Sequence, residues 1–332
     1  MQAILFPDRN AVDLTTLPDP RPGAGEVVVA VRASGICHTD IEVLRGNYGT
    51  SAFPVVPGHE YAGVITEIGE GVTGLAVGDR VAVDPNVECG HCDACRRGWA
   101  HLCEDLRAYG VTQHGGFAER SVVRAGAVHP IGEMSFEKAA LAEPLGCVLN
   151  GLGAARAEQA RNALIIGAGP IGLLLAFGLR SKGVQEITLM DLDEARLAFT
   201  EELSFTGIHS GQGGPDLRHG FDLAIDATGV PAVAAGLIDY IRNGGTGLFF
   251  GVCPADAKIE IAPFELFRRQ ITLAGSHSLN HNIPEALDAL RATDDSVLRL
   301  VTHALPLGEV AEVFRGRMPK ASLKIQAVWD GA

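Results

Sequence analysis

Four of the seven cysteines in this 332-residue chain crowd into Cys89-x2-Cys92-x2-Cys95-x7-Cys103. Thiolates spaced by two residues fold around one tetrahedral ion, and four of them close its shell with no position left for water. The cluster therefore reads as a structural zinc site, since clustered cysteines in a reducing compartment point to metal before disulfide. A second set is dispersed over Cys37-His38-Thr39-Asp40 and Gly58-His59-Glu60. A thiolate and an imidazole suit zinc, and a catalytic site needs three protein ligands and an open position. A carboxylate would complete that set, and Glu143 in Leu141-Ala142-Glu143-Pro144 is the candidate. Cys147 and Cys253 are left over and read as small core residues.

A third pattern is Gly167-Ala168-Gly169-Pro170-Ile171-Gly172, directly after the apolar run Ala163–Ile166. In a strand–turn–helix setting the first glycine makes the tight turn. The second lets backbone approach a pyrophosphate, and the third lets helix and strand pack closely. Asp191 follows about 20 residues on, where an acidic side chain takes the ribose hydroxyls and repels the extra phosphate of NADP, so NAD is the expected cofactor. Arg196 is placed to lie along the adenine face.

These residues need two kinds of scaffold. Up to about residue 150 the chain is rich in short β-type runs broken by Gly and Pro, such as Glu26–Val31, Gly63–Ile68 and Asp79–Val83, which suggests a compact β-rich domain. Beyond about Ala154 apolar strands alternate with helix-compatible segments: Ala163–Ile166, Ile187–Met190, Leu223–Asp226, Thr246–Phe250 and Ile271–Ala274. That alternation means a parallel sheet covered on both faces. The segment Asn282–Ala292 reads as a helix, and the last strand, Leu323–Val328, is expected to return to the first domain. A net charge of −13 argues against a nucleic-acid partner. The longest apolar stretch, Ala163–Leu179, is broken by Gly167, Gly169, Pro170 and Gly172, which excludes a membrane span there. Met1–Pro7 lacks the basic region and long apolar core of a secretion signal, and the expected compartment is the cytoplasm.

Taken together the motifs resemble the zinc-dependent medium-chain alcohol dehydrogenase superfamily over nearly the whole chain. In order they are Cys37-His38-Thr39-Asp40, Pro57-Gly58-His59-Glu60, Gly78-Asp79-Arg80-Val81, the four-Cys lobe, Gly115–Glu119, Glu143-Pro144-Leu145, the glycine fingerprint and Asp226–Gly229. The resemblance implies an α/β protein: a GroES-like β-rich catalytic domain at 1–152, completed by about 283–332, and a Rossmann doubly wound parallel-sheet domain at 153–282. The zinc lobe lies at about 86–104, and a cleft between the domains holds the chemistry. Family zinc ligands match Cys37 and His59. Polyol dehydrogenases carry a Glu-Pro at the third position, so Glu143-Pro144 points to that branch, with Glu60 the acidic neighbour that exchanges onto the metal. Thr39 matches the hydroxyl that takes the alcohol proton, with Asp40 and His38 supporting the site. Glu42 stands where members often have a histidine ending the proton relay. Thr228, Gly251 and Lys324 join the glycine-turn residues as expected cofactor contacts.

The implied activity is NAD-dependent interconversion of a secondary alcohol, above all a polyol or sugar alcohol, and its ketone. It would use two zinc ions per chain in a homodimer or homotetramer. Simple secondary-alcohol and threonine-type dehydrogenases are the alternatives within enzymes. A non-catalytic relative would have lost Cys37, His59 or Thr39, and all three are present. Tyr48, Phe117 and Ser276–His281 are candidate pocket residues. Between Ser204 and Asp222 the chain is short and rich in glycine, so a truncated or missing third Rossmann helix is expected there.

Overall fold

The computed structural model describes residues 1–48, 52–211 and 216–329. Two units emerge, one built from Met1–Gly146 with Leu279–Ala332 and the other from Cys147–Ser278.

In the first unit a seven-stranded sheet surrounds strand Glu26–Gly35. Glu60–Ile68 and Arg120–Arg124 pair with it antiparallel, and Lys324–Val328 lies against its end, with Gln326 opposite Gly35. Arg80–Val83 and Val128–Pro130 extend the sheet on one side, and Val301–Leu305 on the other. Val27, Val29 and Val31 alternate into a buried cluster with Tyr61, Ile65, Val81, Val83 and Val123, as the two-residue period of a strand requires. A second cluster joins Ile4, Phe6, Val43 and Leu44 to Val310, Ala311 and Phe314 of helix Leu307–Phe314. Phe117 belongs here too, wholly buried and edge-on to Phe314, so it is a core residue and not a pocket wall.

The second unit carries a six-stranded, all-parallel sheet in the order Thr206–His209, Glu186–Asp191, Asn162–Ile166, Phe221–Asp226, Ile241–Phe249, Thr272–Gly275. Asn162–Ile166 is central and almost wholly buried, which is why it reads as an unbroken apolar run. Helices Pro170–Ser181 and Glu194–Glu202 make the first two crossovers. Among the described residues no helix lies between Thr206–His209 and Phe221–Asp226, and residues 212–215 fall outside that set. The fifth strand starts at Ile241, earlier than its apolar run at Thr246. A register shift near Phe221 and Gly244, at φ +77°, absorb the intervening residues.

Candidate catalytic centre and cofactor site

Strand Glu26–Gly35 delivers the first residues of the centre. Ile36 donates its N–H to the Ile325 carbonyl, and Cys37 then caps helix His38–Arg45. Asp40, in that helix's first turn and fully buried, organises the backbone around it. One carboxylate oxygen accepts the Cys37 N–H at 2.8 Å. The other accepts the Gly58 N–H at 3.1 Å and lies 3.3 Å from Nδ1 of His59. Gly58 has φ +96°, and a side chain there would strike Phe117 and Ser34, so only glycine lets the 57–59 turn approach this closely. Glu60 opens the next strand directly opposite Gly35.

Cys37, His59 and Glu60 thus present one ligand atom each, all within 4.8 Å of one another. His59 and Glu60 are buried and Cys37 half-buried. This donor set of sulfur, nitrogen and oxygen fits a zinc ion. Burial acts to lower the His59 pKa, but the neighbouring Asp40 carboxylate and Cys37 sulfur outweigh it and hold the imidazole well above its ordinary value. A site this negative suits a cation. Glu143, buried in the first turn of helix Ala142–Ala154, is not in that three-residue set. Glu60 enters that set because strand register seats it beside Gly35.

Lys324 reaches the same centre. Its ammonium donates to Oε1 of Glu60 at 2.6 Å and is buried with it. Burial opposes that charge, while Glu60, with Cys37 and Glu143, raises the Lys324 pKa. The side chain expected among the cofactor contacts is therefore engaged with a carboxylate of the metal set.

Thr39 is half-buried on the same helix turn. His38 is exposed, its Nε2 3.6 Å from Glu42. Glu42 also accepts from Asn47 at 3.0 Å and Arg45 at 2.9 Å, and the Asn47 bond leads the effects that hold its carboxyl below the ordinary value. Glu42 is a firmly charged group that pairs with His38.

The four-Cys lobe closes on itself, its sulfurs lying within 4.8 Å of one another. Backbone N–H groups point at the sulfurs: Cys92 to Cys89, Cys95 to Cys92, and Cys89 and Asp105 to Cys103. The Cys95 N–H leads in drawing the Cys92 thiol down to about 6. Burial pushes the Cys95 and Cys103 thiols up instead, so the cage favours the thiolate, the form that binds metal, at Cys92. Asn280 ties the lobe to the 279–282 loop, accepting from the Ala100 N–H and donating to the Gly98 carbonyl.

In the other unit Gly167 takes φ +109° and donates to Met190. A side chain on Gly172 would collide with the Gly167 carbonyl. Gly169 caps helix Pro170–Ser181, whose first residue is Pro170, followed by half-buried Ile171. Asp191 ends its strand with one oxygen on the Ala168 N–H, 2.7 Å, and the other on the Leu192 and Asp193 N–H groups. Arg196 lies 3.7 Å from Asp191. Asp226, wholly buried, holds Thr228 by both N–H and hydroxyl. Gly251 packs so closely on Gly229 that a side chain would strike its nitrogen. The glycine turn, Asp191 and the Thr228–Gly251 pair thus gather at the carboxyl ends of parallel strands, where dinucleotides bind in this topology.

Residues 23–133 match the family model described as the alcohol dehydrogenase GroES-like domain, and residues 137–325 that of the glucose dehydrogenase C-terminus. The chain is 49% identical to the D-altritol 5-dehydrogenase of Agrobacterium fabrum, covering 98% of this chain and 99% of that one. The chain belongs to the zinc-dependent medium-chain alcohol dehydrogenases, in their polyol branch. This dehydrogenase is also 35% identical to D-arabinitol dehydrogenase 1 of Uromyces fabae over 90% of this chain and 89% of that one. A solved zinc-binding dehydrogenase of Sinorhizobium meliloti, bound to NADP, superposes on it with a TM-score of 0.93 at 28% identity, covering 99% of each chain. The dehydrogenase is thus an oxidoreductase of the alcohol-oxidising kind, with a GroES-like unit and a Rossmann unit. Sequence reasoning named Asp40 as a supporting residue without its bonds to the Cys37 and Gly58 backbone, and passed over the pairing of Lys324. A glycine inside strand Glu26–Gly35, at the position facing Glu60, was the signal available for the second.

Proposed function

We propose that this dehydrogenase interconverts a secondary hydroxyl of a polyol and the corresponding ketone with NAD. The catalytic zinc would be held by Cys37, His59 and Glu60, with Glu143 close by, and a structural zinc by Cys89, Cys92, Cys95 and Cys103. The observation that carries this reading is the buried Cys37–His59–Glu60 set gathered by one carboxylate, Asp40. Bound there, zinc supplies Lewis acidity that stabilises an alkoxide or polarises a carbonyl.

The chain's own residues do the rest. Asp40 holds the backbone at Cys37 and Gly58 and faces Nδ1 of His59 at 3.3 Å, an outer-shell role that orients ligands. Thr39, two residues from Cys37, takes the alcohol proton, and His38 with Glu42 lies on the outward side of the same helix to receive it. A ligand set with one thiolate is harder than one with two and favours oxygen-rich substrates. The polyols in the names of the two relatives agree with that preference. Asp191 supports NAD over NADP by placing a carboxylate where the 2′-phosphate would lie. Met1–Gly146 with Leu279–Ala332 serves as the catalytic domain and Cys147–Ser278 as the cofactor domain. A homodimer or homotetramer is supported by the open edge of strand Thr272–Gly275 and by Phe264 and Phe267, which expose apolar rings on the helix before it. The cytoplasm is the proposed compartment, because clustered thiols stay reduced there and available to metal.

The test is a panel of hexitols, pentitols, small secondary alcohols and threonine incubated with NAD, following NADH at 340 nm. Polyols should give the highest kcat/KM. Turnover of threonine or simple alcohols with polyols inert would overturn the substrate assignment.

A further inference from the structure

Three neighbouring strands meet at Gly35. Glu60 pairs with it from one side, and Gln326 faces it from the other, two residues beyond Lys324. Glu60 and Lys324 therefore arise from strands that are not hydrogen-bonded to each other, separated by the one carrying Gly35. Side chains that far apart meet only by crossing the intervening backbone. A Cβ on Gly35 would collide with a Glu60 carboxylate oxygen and sit 3.1 Å from Cε of Lys324. The missing side chain is the notch in which the pair is made.

A buried ion pair is weak evidence for stability, because desolvating both charges offsets much of their attraction. This one also lies against a metal-binding set, with Glu60 inside the 4.8 Å group and Glu143 close enough to act on the same ammonium. Lys324 is thus the buried cation facing two acidic side chains, one of which belongs to the donor set.

We propose that Lys324, seated across the Gly35 notch, is a positioning residue that restrains Glu60 and so sets how firmly that carboxylate engages the catalytic metal. The inference rests on the zinc assignment proposed above. Among the described residues Lys324 is the basic side chain paired with Glu60, so without it the metal becomes the cation facing that buried carboxylate. Glu60 should then bind the metal more tightly, at the expense of the open position that substrate needs.

The experiment uses the full-length enzyme, zinc-loaded and cobalt-substituted, as wild type, Lys324→Met, Lys324→Arg, Glu60→Gln and the Lys324→Met/Glu60→Gln double variant. The readouts are the rate of zinc release from the catalytic site to a chelator and the visible ligand-field bands of cobalt. Lys324→Met should slow zinc release by about tenfold, within the range of outer-shell effects on metal affinity, and shift the cobalt bands. Lys324→Arg should restore both, and the double variant should match Glu60→Gln alone. Wild-type release and spectrum in Lys324→Met, with Glu60→Gln altering both, would overturn the role of Lys324 and leave the zinc assignment standing. An effect of Lys324→Met that persists unchanged in the Glu60→Gln background would overturn it too. Failure of the wild type to take metal at Cys37 and His59 would overturn both readings. If Lys324→Met does not fold, Gly35→Ala fills the notch and makes the same test by pushing the two side chains apart.

Discussion

Asp40→Asn probes the centre with little change of shape, and its cost can be worked out bond by bond. The carboxylate accepts the Cys37 N–H with one oxygen and the Gly58 N–H with the other, while contacting His59. An amide has one oxygen, so one of the two backbone donors must face an NH2 group in a site with no solvent access. A buried donor left unsatisfied costs about 1–3 kcal/mol, and the lost charge assistance in the surviving bond adds to that. A total of about 3 kcal/mol in the roughly 200-residue catalytic unit lowers Tm by about 6–12 °C. The His59 contact adds a separate effect that appears only with metal. Losing an outer-shell carboxylate weakens zinc binding about 10–100-fold, or about 1.4–2.7 kcal/mol. Melting the chelated and zinc-loaded forms side by side separates the two terms, and competition with a zinc-sensitive dye gives the affinity. A metal-free Tm within about 2 °C of wild type, together with undiminished zinc affinity, would refute the role given to Asp40.

Asp191→Ser should narrow the preference of NAD over NADP by at least about tenfold in kcat/KM, measured with both cofactors at one polyol concentration. A wild-type enzyme equally efficient with both would contradict the reading of Asp191. Cys95→Ser should lose one zinc by elemental analysis and melt earlier, with activity falling only in proportion to folded protein; full metal content and unchanged melting would count against a zinc-filled lobe. Burial pushes the Asp84 carboxyl up to about 6, against the N–H of Asn86 and the charge of His281. Its folded value lies above the ordinary 3.8, so its contribution to stability is full below that value and is lost as pH rises through about 6. Asp84→Asn, which removes the buried charge, should therefore raise stability by about 1–3 kcal/mol at pH 8 and leave it nearly unchanged at pH 4, read from denaturant melts at both. Equal effects at the two values would exclude a charged Asp84 as the cause.

How far each feature is legible in the sequence depends on how local its signal is. The Cys89–Cys103 lobe lies within fifteen residues, and the glycine turn with its adjoining helix is a single contiguous unit, so spacing alone carried their chemistry. Asp191 sat at the end of a recognisable apolar strand. The approach of Glu60 to Cys37 and His59 was harder to read, because it depends on the register of Gly35 on Glu60, a pairing set by sheet packing. The Lys324–Glu60 pair spans 264 residues and crosses a third strand, which no spacing rule reaches. Phe117 was a candidate pocket residue in the sequence. It packs instead in the cluster with Phe6 and edge-on to Phe314, contacts between segments that no local pattern announces. Strand Ile241–Phe249 began before its apolar run because backbone pairing does not require apolar side chains at a bulged start.

The position of strand Lys324–Val328 also has a consequence for the order in which the protein can be made. A ribosome releases residues 147–278 as one uninterrupted stretch, and the parallel sheet of that unit has all its strands once Gly275 has emerged. The other unit has to wait. Until Lys324–Val328 is synthesised, the end of strand Glu26–Gly35 lacks a partner along one side, and Glu60 stands without its ammonium. Domains generally fold as units during synthesis, so the nascent cofactor domain should become protease-resistant first, while the catalytic half stays open until strand Lys324–Val328 arrives. An unfinished chain of this kind exposes one edge of strand Glu26–Gly35, a template for pairing with another chain, for as long as residues 324–328 are missing.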